Sequence, residues 1–450
     1  MAPPPPPASA LTADALPAAI RQLRPGAHRS VAVPGTSFWR KLAAYSGPGY
    51  LVAVGYMDPG NWATGIAGGS AFGYRLLCVI VVANLMAMFL QRLAAKLGIV
   101  SGMDLAQACR ARYGAVTRIF LWLLCEGAII ACDLAELIGA AIALKLLFDI
   151  PLVVGVALTG LEVLLVLGLQ HRGFRRLEAI IVALMAVISL CFGLELILAQ
   201  PSWQGIARGL VPHTEVVSNP LMLYLAVGIL GATVMPHNLY LHSSIVQTRR
   251  FERSERGTRE AIRFSTIDVV MALTLALFVN AAILILAAAT FHRQGLTEVV
   301  GIEQAYQLLT PILGAGAAGT VFAIALLASG QNSSITGTLA GQIVMEGFTT
   351  LRWPPWVRRL LARLLAMGPA MFAVGAYGDE GATRLLIFSQ VILSLQLPFA
   401  VYPLVRMTNS TRLMGKFANR PVTAAVAWTL TALLIGLNAI LVADMLWPKA

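Results

Sequence analysis

Charge is scarce in this 450-residue chain: Asp, Glu, Lys and Arg make up 12% of it, while 58% is hydrophobic. An average soluble domain carries about 25% charged residues. So little polar surface cannot cover a soluble globule of this size, which excludes an ordinary cytosolic enzyme and a disordered chain alike. Histidine is also rare, with six residues and no His-Glu-x-x-His pairing, which argues against an integral membrane metalloenzyme. The five cysteines (Cys78, Cys109, Cys125, Cys132 and Cys191) show no Cys-x-x-Cys spacing, and four lie in or beside apolar runs. They read as small buried hydrophobes rather than a disulfide framework or a zinc site. The N-terminus holds Pro3 to Pro7 and lacks an apolar core followed by a cleavage site. Residues 1–41 therefore read as a disordered tail, not as a signal peptide.

What the chain has in abundance is long apolar runs. Eleven candidate spans lie near 45–71, 76–97, 117–147, 152–170, 177–199, 220–246, 265–291, 311–345, 357–376, 382–405 and 422–446. A bilayer-crossing helix needs about 20 apolar residues, so the fold class is an all-α integral membrane protein with eleven transmembrane helices. The third and eighth runs exceed a perpendicular crossing and predict tilt or extension beyond the lipid. The net charge of +12 comes from basic residues concentrated in alternate loops, for example Lys96, Arg110, Arg112 and Arg118, then Arg172, Arg175 and Arg176, then Arg249 to Arg263. That asymmetry predicts a multi-pass cell (inner) membrane protein with a cytoplasmic N-terminus and, given an odd span count, an extracytoplasmic C-terminus.

Two spans are punctuated mid-membrane. The first contains Tyr56-Met57-Asp58-Pro59-Gly60-Asn61, the sixth Ala232-Thr233-Val234-Met235-Pro236-His237-Asn238. Proline removes a backbone donor and clashes with the preceding turn, and glycine adds freedom. Spans one and six open two blocks of five, and interrupted segments at matching positions in two halves point to an inverted-repeat transporter. Plain proline kinks are the bland alternative; polar ligand atoms at both breaks tip the balance. A carboxylate such as Asp58 at the centre of a span costs about 2.5–3.5 kcal/mol on insertion scales and needs a partner, a proton or a cation. Asn61 offers an amide oxygen, Met235 a thioether, and unwinding frees carbonyls such as those of Ala232 and Gly55. Oxygen alone would suit Mg²⁺ or Ca²⁺, whereas a thioether favours softer divalent ions. Core packing is the ordinary role of a membrane methionine, but a position directly before a helix-breaking proline and opposite a buried Asp reverses those odds.

Glu126, Asp133 and Glu136 sit seven and three residues apart, on one helical face. Three acids along one membrane stripe suggest a wet proton path. His237, titratable near neutral pH, can join it, and Arg358 and Arg359 can pair with it; a purely structural ion-pair network is the competing reading. The polar stretch Ser329-Gly330-Gln331-Asn332-Ser333-Ser334 leans towards helix–helix hydrogen bonding. Gln390 is an isolated amide that either glues helices or reaches the metal, and the sequence does not choose between them.

The Asp58-Pro59-Gly60-Asn61 and Met235-Pro236-His237-Asn238 breaks, with the run from Ser329 to Thr338, resemble the Nramp family of proton-coupled divalent metal transporters, in its bacterial manganese-transporter branch. The likeness covers about residues 42–446. It implies a leucine-transporter-type fold with two inverted five-helix repeats and discontinuous helices 1 and 6: repeat one at about 42–199, repeat two at about 220–405, and an extra helix at about 422–446, in one transporter domain. It implies metal ligation by Asp58, Asn61, Met235 and the Ala232 carbonyl, with Gln390 and the Gly55 carbonyl joining in some conformations. It further implies roles in proton movement and gating for Asp58, His237, Glu126, Asp133, Glu136, Arg358 and Arg359. The expected function is import of Mn²⁺ or Fe²⁺, and also Cd²⁺ or Co²⁺, with protons, by alternating access. No catalysis, no permanently bound cofactor, no nucleic acid and no obligatory protein partner are expected. A sodium-coupled amino-acid transporter on the same fold is less consistent, because Asp58 would repel a substrate carboxylate. A passive channel gives no reason for paired breaks.

Overall fold

The computed structural model of the protein describes residues 31–33, 37–161, 174–298, 301–313, 317–349 and 353–447. Pro3 to Pro7, Arg172, Arg352 and the second half of the fourth expected span lie outside them.

Helix starts are written in the sequence. Proline stands at the first turn of α2 (Pro48–Gly55), α3 (Pro59–Phe72), α9 (Pro220–Val234), α10 (Pro236–Ile245) and α15 (Pro421–Leu446), where its missing N–H costs nothing. Side-chain caps begin others: Asp104 and Gln107 form a reciprocal capping box on α5 (Leu105–Arg112), and Ser254 caps α11 (Glu255–Thr290).

Between these run α4 (Leu77–Ser101), α6 (Ala115–Phe148), α7 (Leu152–Leu161), α8 (Phe174–Ala199), α12 (Ile302–Leu313), α13 (Ala318–Phe348) and α14 (Pro355–Thr408). Each expected span has a helical counterpart, the fourth only for its first ten residues. Spans one and six are broken as expected, into α2 and α3 and into α9 and α10. One boundary differs. The run 311–345 is not described as one long helix: α12 ends at Leu313 and α13 starts at Ala318. Spans nine and ten are two helical limbs, as expected, joined through the non-helical Gly378 with φ 58° and ψ −141°; the two limbs share the label α14.

Helix α6 lies at the centre, packed on α14, α13, α7 and α3. It approaches the first break so closely that a Cβ at Gly139 would sit 2.2 Å from Cβ of Pro59; glycine is what lets the two backbones meet.

One end of the bundle is tied down by buried polar contacts. Arg249 donates to Glu178 Oε1 at 2.8 Å and to the Ser46 carbonyl at 2.8 Å. Asp268 accepts from the backbone N–H of Gly49 at 2.6 Å and of Gly47 at 3.3 Å. Gly47 has φ +133°, and a Cβ there would lie 2.1 Å from Glu178 Oε1. These contacts hold the start of α2 against α8 and α11. Ahead of it, α1 (Phe38–Tyr45) begins inside the segment expected to be tail. Tyr45 stacks on Phe264 at 5.5 Å, and Lys41 pairs with Glu260. Further upstream, β1 (Val31–Ala32) pairs in parallel with β2 (Arg249–Arg250).

Candidate functional site

The α2–α3 break puts Asp58 at the N-cap of α3, where Oδ1 accepts the Asn61 backbone N–H at 2.8 Å and the Asn61 side-chain N–H at 2.7 Å. A carboxylate here also lies at the positive end of the helix. The other oxygen, Oδ2, is buried without a hydrogen-bond partner among the described residues. The Asn61 Nδ2 donates further to the Ala232 carbonyl at 3.0 Å and to the Gly55 carbonyl at 3.5 Å. Three oxygens from two interrupted helices thus converge on one amide nitrogen. Met235 links α9 to α10 and is fully buried. Its sulfur accepts from Asn238 Nδ2 at 3.7 Å and would lie 3.2 Å from a Cβ on Gly55.

Gln390 reaches the same place. A Cβ on Gly60 would sit 1.9 Å from its Nε2, and one on Gly231 would sit 2.0 Å from its backbone carbonyl. The residue therefore sits between α3 and α9, its side-chain amide against α3 and its backbone carbonyl against α9, with Oε1 buried and lacking a hydrogen-bond partner among the described residues. The alternative left open by the sequence is narrowed: Gln390 stands beside the breaks, whatever else it packs against.

Neighbouring polar groups fix the unwound backbone. Trp62 Nε1 and the Ser329 hydroxyl donate to the Met57 carbonyl, the former at 3.2 Å, and Asn280 Nδ2 donates to the Tyr56 carbonyl at 2.7 Å. These satisfy carbonyls that helix formation would otherwise have used. Ser329 thus has a hydrogen-bonding role, in line with its reading from sequence.

The acidic stripe on α6 meets the first limb of α14. Arg358 pairs with Glu126 Oε2 at 2.7 Å. Arg359 pairs with Asp133, and its Nη2 reaches Glu136 Oε2 at 3.4 Å and the Ser334 carbonyl at 3.1 Å. Arg363, not singled out from sequence, completes the set: it donates to Glu136 Oε2 at 3.2 Å, to the Asp133 carbonyl at 3.3 Å and to the Ser334 hydroxyl. The signal was present, a third arginine one helical turn after Arg359 inside an apolar run, on the same face. Three carboxylates face three guanidiniums, so the cluster is close to neutral. His237 is buried, with Nδ1 unpartnered among the described residues, and makes no direct bond to the cluster.

Among the described residues no group of three His, Cys, Asp or Glu side chains converges as a metal cluster. The donor set at the breaks is instead one carboxylate with neutral oxygen and sulfur atoms, suited to a divalent ion held loosely enough to leave.

Residues 49–444 match the family model Nramp, described as natural resistance-associated macrophage protein-like. A Bradyrhizobium diazoefficiens protein called divalent metal cation transporter MntH is 59% identical over 418 residues, covering 93% of each chain. A protein of the same name from Xanthomonas campestris is 59% identical over 425 residues, covering 94% of this chain and 95% of its own. Among solved structures, the Eremococcus coleocola manganese transporter in complex with an aromatic bis-isothiourea substituted compound superposes with TM-score 0.86 at 42% identity, covering 95% and 92% of the two chains. Mhp1 in an inward-facing conformation aligns with TM-score 0.59 at 14% identity, covering 97% and 95%, which is a likeness of fold alone.

Proposed function

The chain belongs to the Nramp family, and from that premise we propose that the cargo of this multi-pass membrane transporter binds where its two interrupted helices meet. It carries divalent metal cations and is not an enzyme. The finer reading is import of Mn²⁺ or Fe²⁺, and of Cd²⁺ or Co²⁺, into the cytoplasm together with protons, without a resident cofactor. The N-terminus is cytoplasmic, as the basic loops predict.

The observation that carries the site is the focus of oxygens around Asn61. Asp58 Oδ1 and the Gly55 and Ala232 carbonyls all accept from the Asn61 side-chain NH₂, which occupies the place of a positive charge. A cation arriving there replaces that NH₂. The Asn61 amide turns its oxygen inward, Asp58 adds its free Oδ2, and Met235 supplies sulfur. Gln390, already wedged between α3 and α9, adds an oxygen as the two helices close. These donors stand in for the water that the ion sheds. The single carboxylate lowers the energy of the bound ion without trapping it.

Proton movement runs alongside. Asp58, His237, Asp133, Glu136 and Glu126 form the titratable route, with Arg358 and Arg359 as the charges that release or hold it and Arg363 as an added member. A proton reaching Glu136 weakens its hold on two arginines of α14, so that limb is freed as the proton arrives. Transport then follows alternating access around a fixed site, with α2 and α10 moving to open the opposite face. The test is Mn²⁺ uptake into proteoliposomes: Asp58→Ala is expected to reduce it at least about a hundredfold by deleting the sole carboxylate of the donor set. Near-normal uptake rejects the site.

A further inference from the structure

A thiol stands on the wall of this site. Cys132 on α6 is buried and belongs to a four-residue cluster with Ala128, Met235 and Leu393. One turn along the helix, its S–H donates to Glu136 Oε1 at 3.8 Å. Met235 in turn lies against Gly55, whose carbonyl shares the Asn61 side-chain amide with Asp58. A lone buried cysteine would be mere packing. The independent pointer to a ligand here is Asp58 Oδ2, fully buried and without a hydrogen-bond partner among the described residues. The α6 thiol and the thioether at the α9–α10 break therefore share one buried cluster, and that thioether stands beside the α2–α3 break that carries the uncommitted Asp58 oxygen.

We propose that Cys132 is a specificity-determining residue that gives thiophilic divalent cations a second sulfur donor in the cargo site. The inference rests on the proposed location of that site and deepens it. Manganese, with its oxygen preference, gains little from a second sulfur, whereas cadmium gains a strong bond. Ligation replaces the S–H hydrogen with the metal, and the Glu136 carboxylate that already accepts this S–H is the proton's destination. Cys132 thus tilts the ion ranking towards soft metals and couples their binding to the acidic stripe.

The test uses the full-length protein with CdCl₂ and MnCl₂ as probes. Cys132→Ser keeps an O–H donor for Glu136 and removes only sulfur, so a structural role survives it. The cadmium-over-manganese preference in proteoliposome uptake is expected to fall about tenfold in Cys132→Ser. The ultraviolet sulfur-to-cadmium charge-transfer band of the purified protein is expected to disappear with it, and also in Asp58→Asn, which retains the thiol. An unchanged ion preference, or equal losses for both metals, overturns the proposal. So does a band that persists in Asp58→Asn, since the thiol would then bind cadmium apart from the cargo. The underlying site fails separately, if Asp58→Asn leaves manganese uptake intact.

Discussion

Replacing Glu178 by Gln keeps the shape of the buried tie at the start of α2 and removes its negative charge. The Arg249 and Glu178 side chains are only 1% and 5% exposed, so solvent cannot make good the loss. A hydrogen bond to a charged group contributes about 1.5–3 kcal/mol net. Arg249 keeps its bonds to the Ser46 carbonyl and, at 3.0 Å, to the Thr248 hydroxyl, and the Asp268 bonds to Gly47 and Gly49 are untouched. The expected cost therefore falls in the lower half of that range, about 2 kcal/mol, or roughly thirtyfold in the balance between docked and released α2. Hydrogen exchange followed by mass spectrometry reads that balance, because amides exchange from the opened population. Residues 46–55 are expected to exchange roughly thirtyfold faster in Glu178→Gln, while α4 keeps its wild-type protection. Unchanged exchange over 46–55 would refute the idea that this ion pair holds α2 shut. An equal rise in α4 would show general loosening in place of a local release.

Two further outcomes are open to measurement. Arg363→Gln leaves Glu136 short of one buried cation partner, a loss of about 3–5 kcal/mol where the pair is intact; stimulation of uptake by an imposed proton gradient should collapse while calorimetric Mn²⁺ binding persists, and parallel loss of both would mean a merely structural role. Asp104, outside the membrane spans and fully buried, has its carboxyl pushed up to about 7 by burial. The folded protein therefore holds a proton that the unfolded chain releases above about pH 4. Its contribution is fully present below that pH and is lost as pH rises through 7, a swing of about 2–4 kcal/mol. Asp104→Asn keeps a capping side chain and should flatten the fall in melting temperature over that window; an identical pH profile would remove Asp104 as its source.

The parts of the site that were legible in the sequence are those whose chemistry is local. Pro59 and Pro236 announce their breaks because a missing N–H and a ring clash act within one turn. Asp58 stands out because a carboxylate in an apolar run demands a reason. Span positions follow from hydropathy alone, and the α6 acids from helical spacing. What stayed hidden depends on distant partners. Gln390 lies far along the chain from Gly60, and only the fold shows it wedged between α3 and α9. Arg363 was visible as a residue, but its sharing of Glu136 with Arg359 is a matter of packing. Cys132 read as a small hydrophobe because Met235 cannot be placed near it without the fold, although helical spacing alone sets Glu136 one turn away. The helical start at Phe38, inside the segment expected to be tail, depends on Phe264 and Glu260, both remote in sequence.

Helix α14 carries Arg359 and Arg363 on one limb and Gln390 on the other, joined through Gly378. A Cβ at 378 would meet no atom within 4 Å, so glycine serves the φ of 58° there and not a crowded neighbour. A tilt of the arginine limb must either be absorbed by torsion at that single joint or be delivered by covalent chain to the amide at the ion's doorstep.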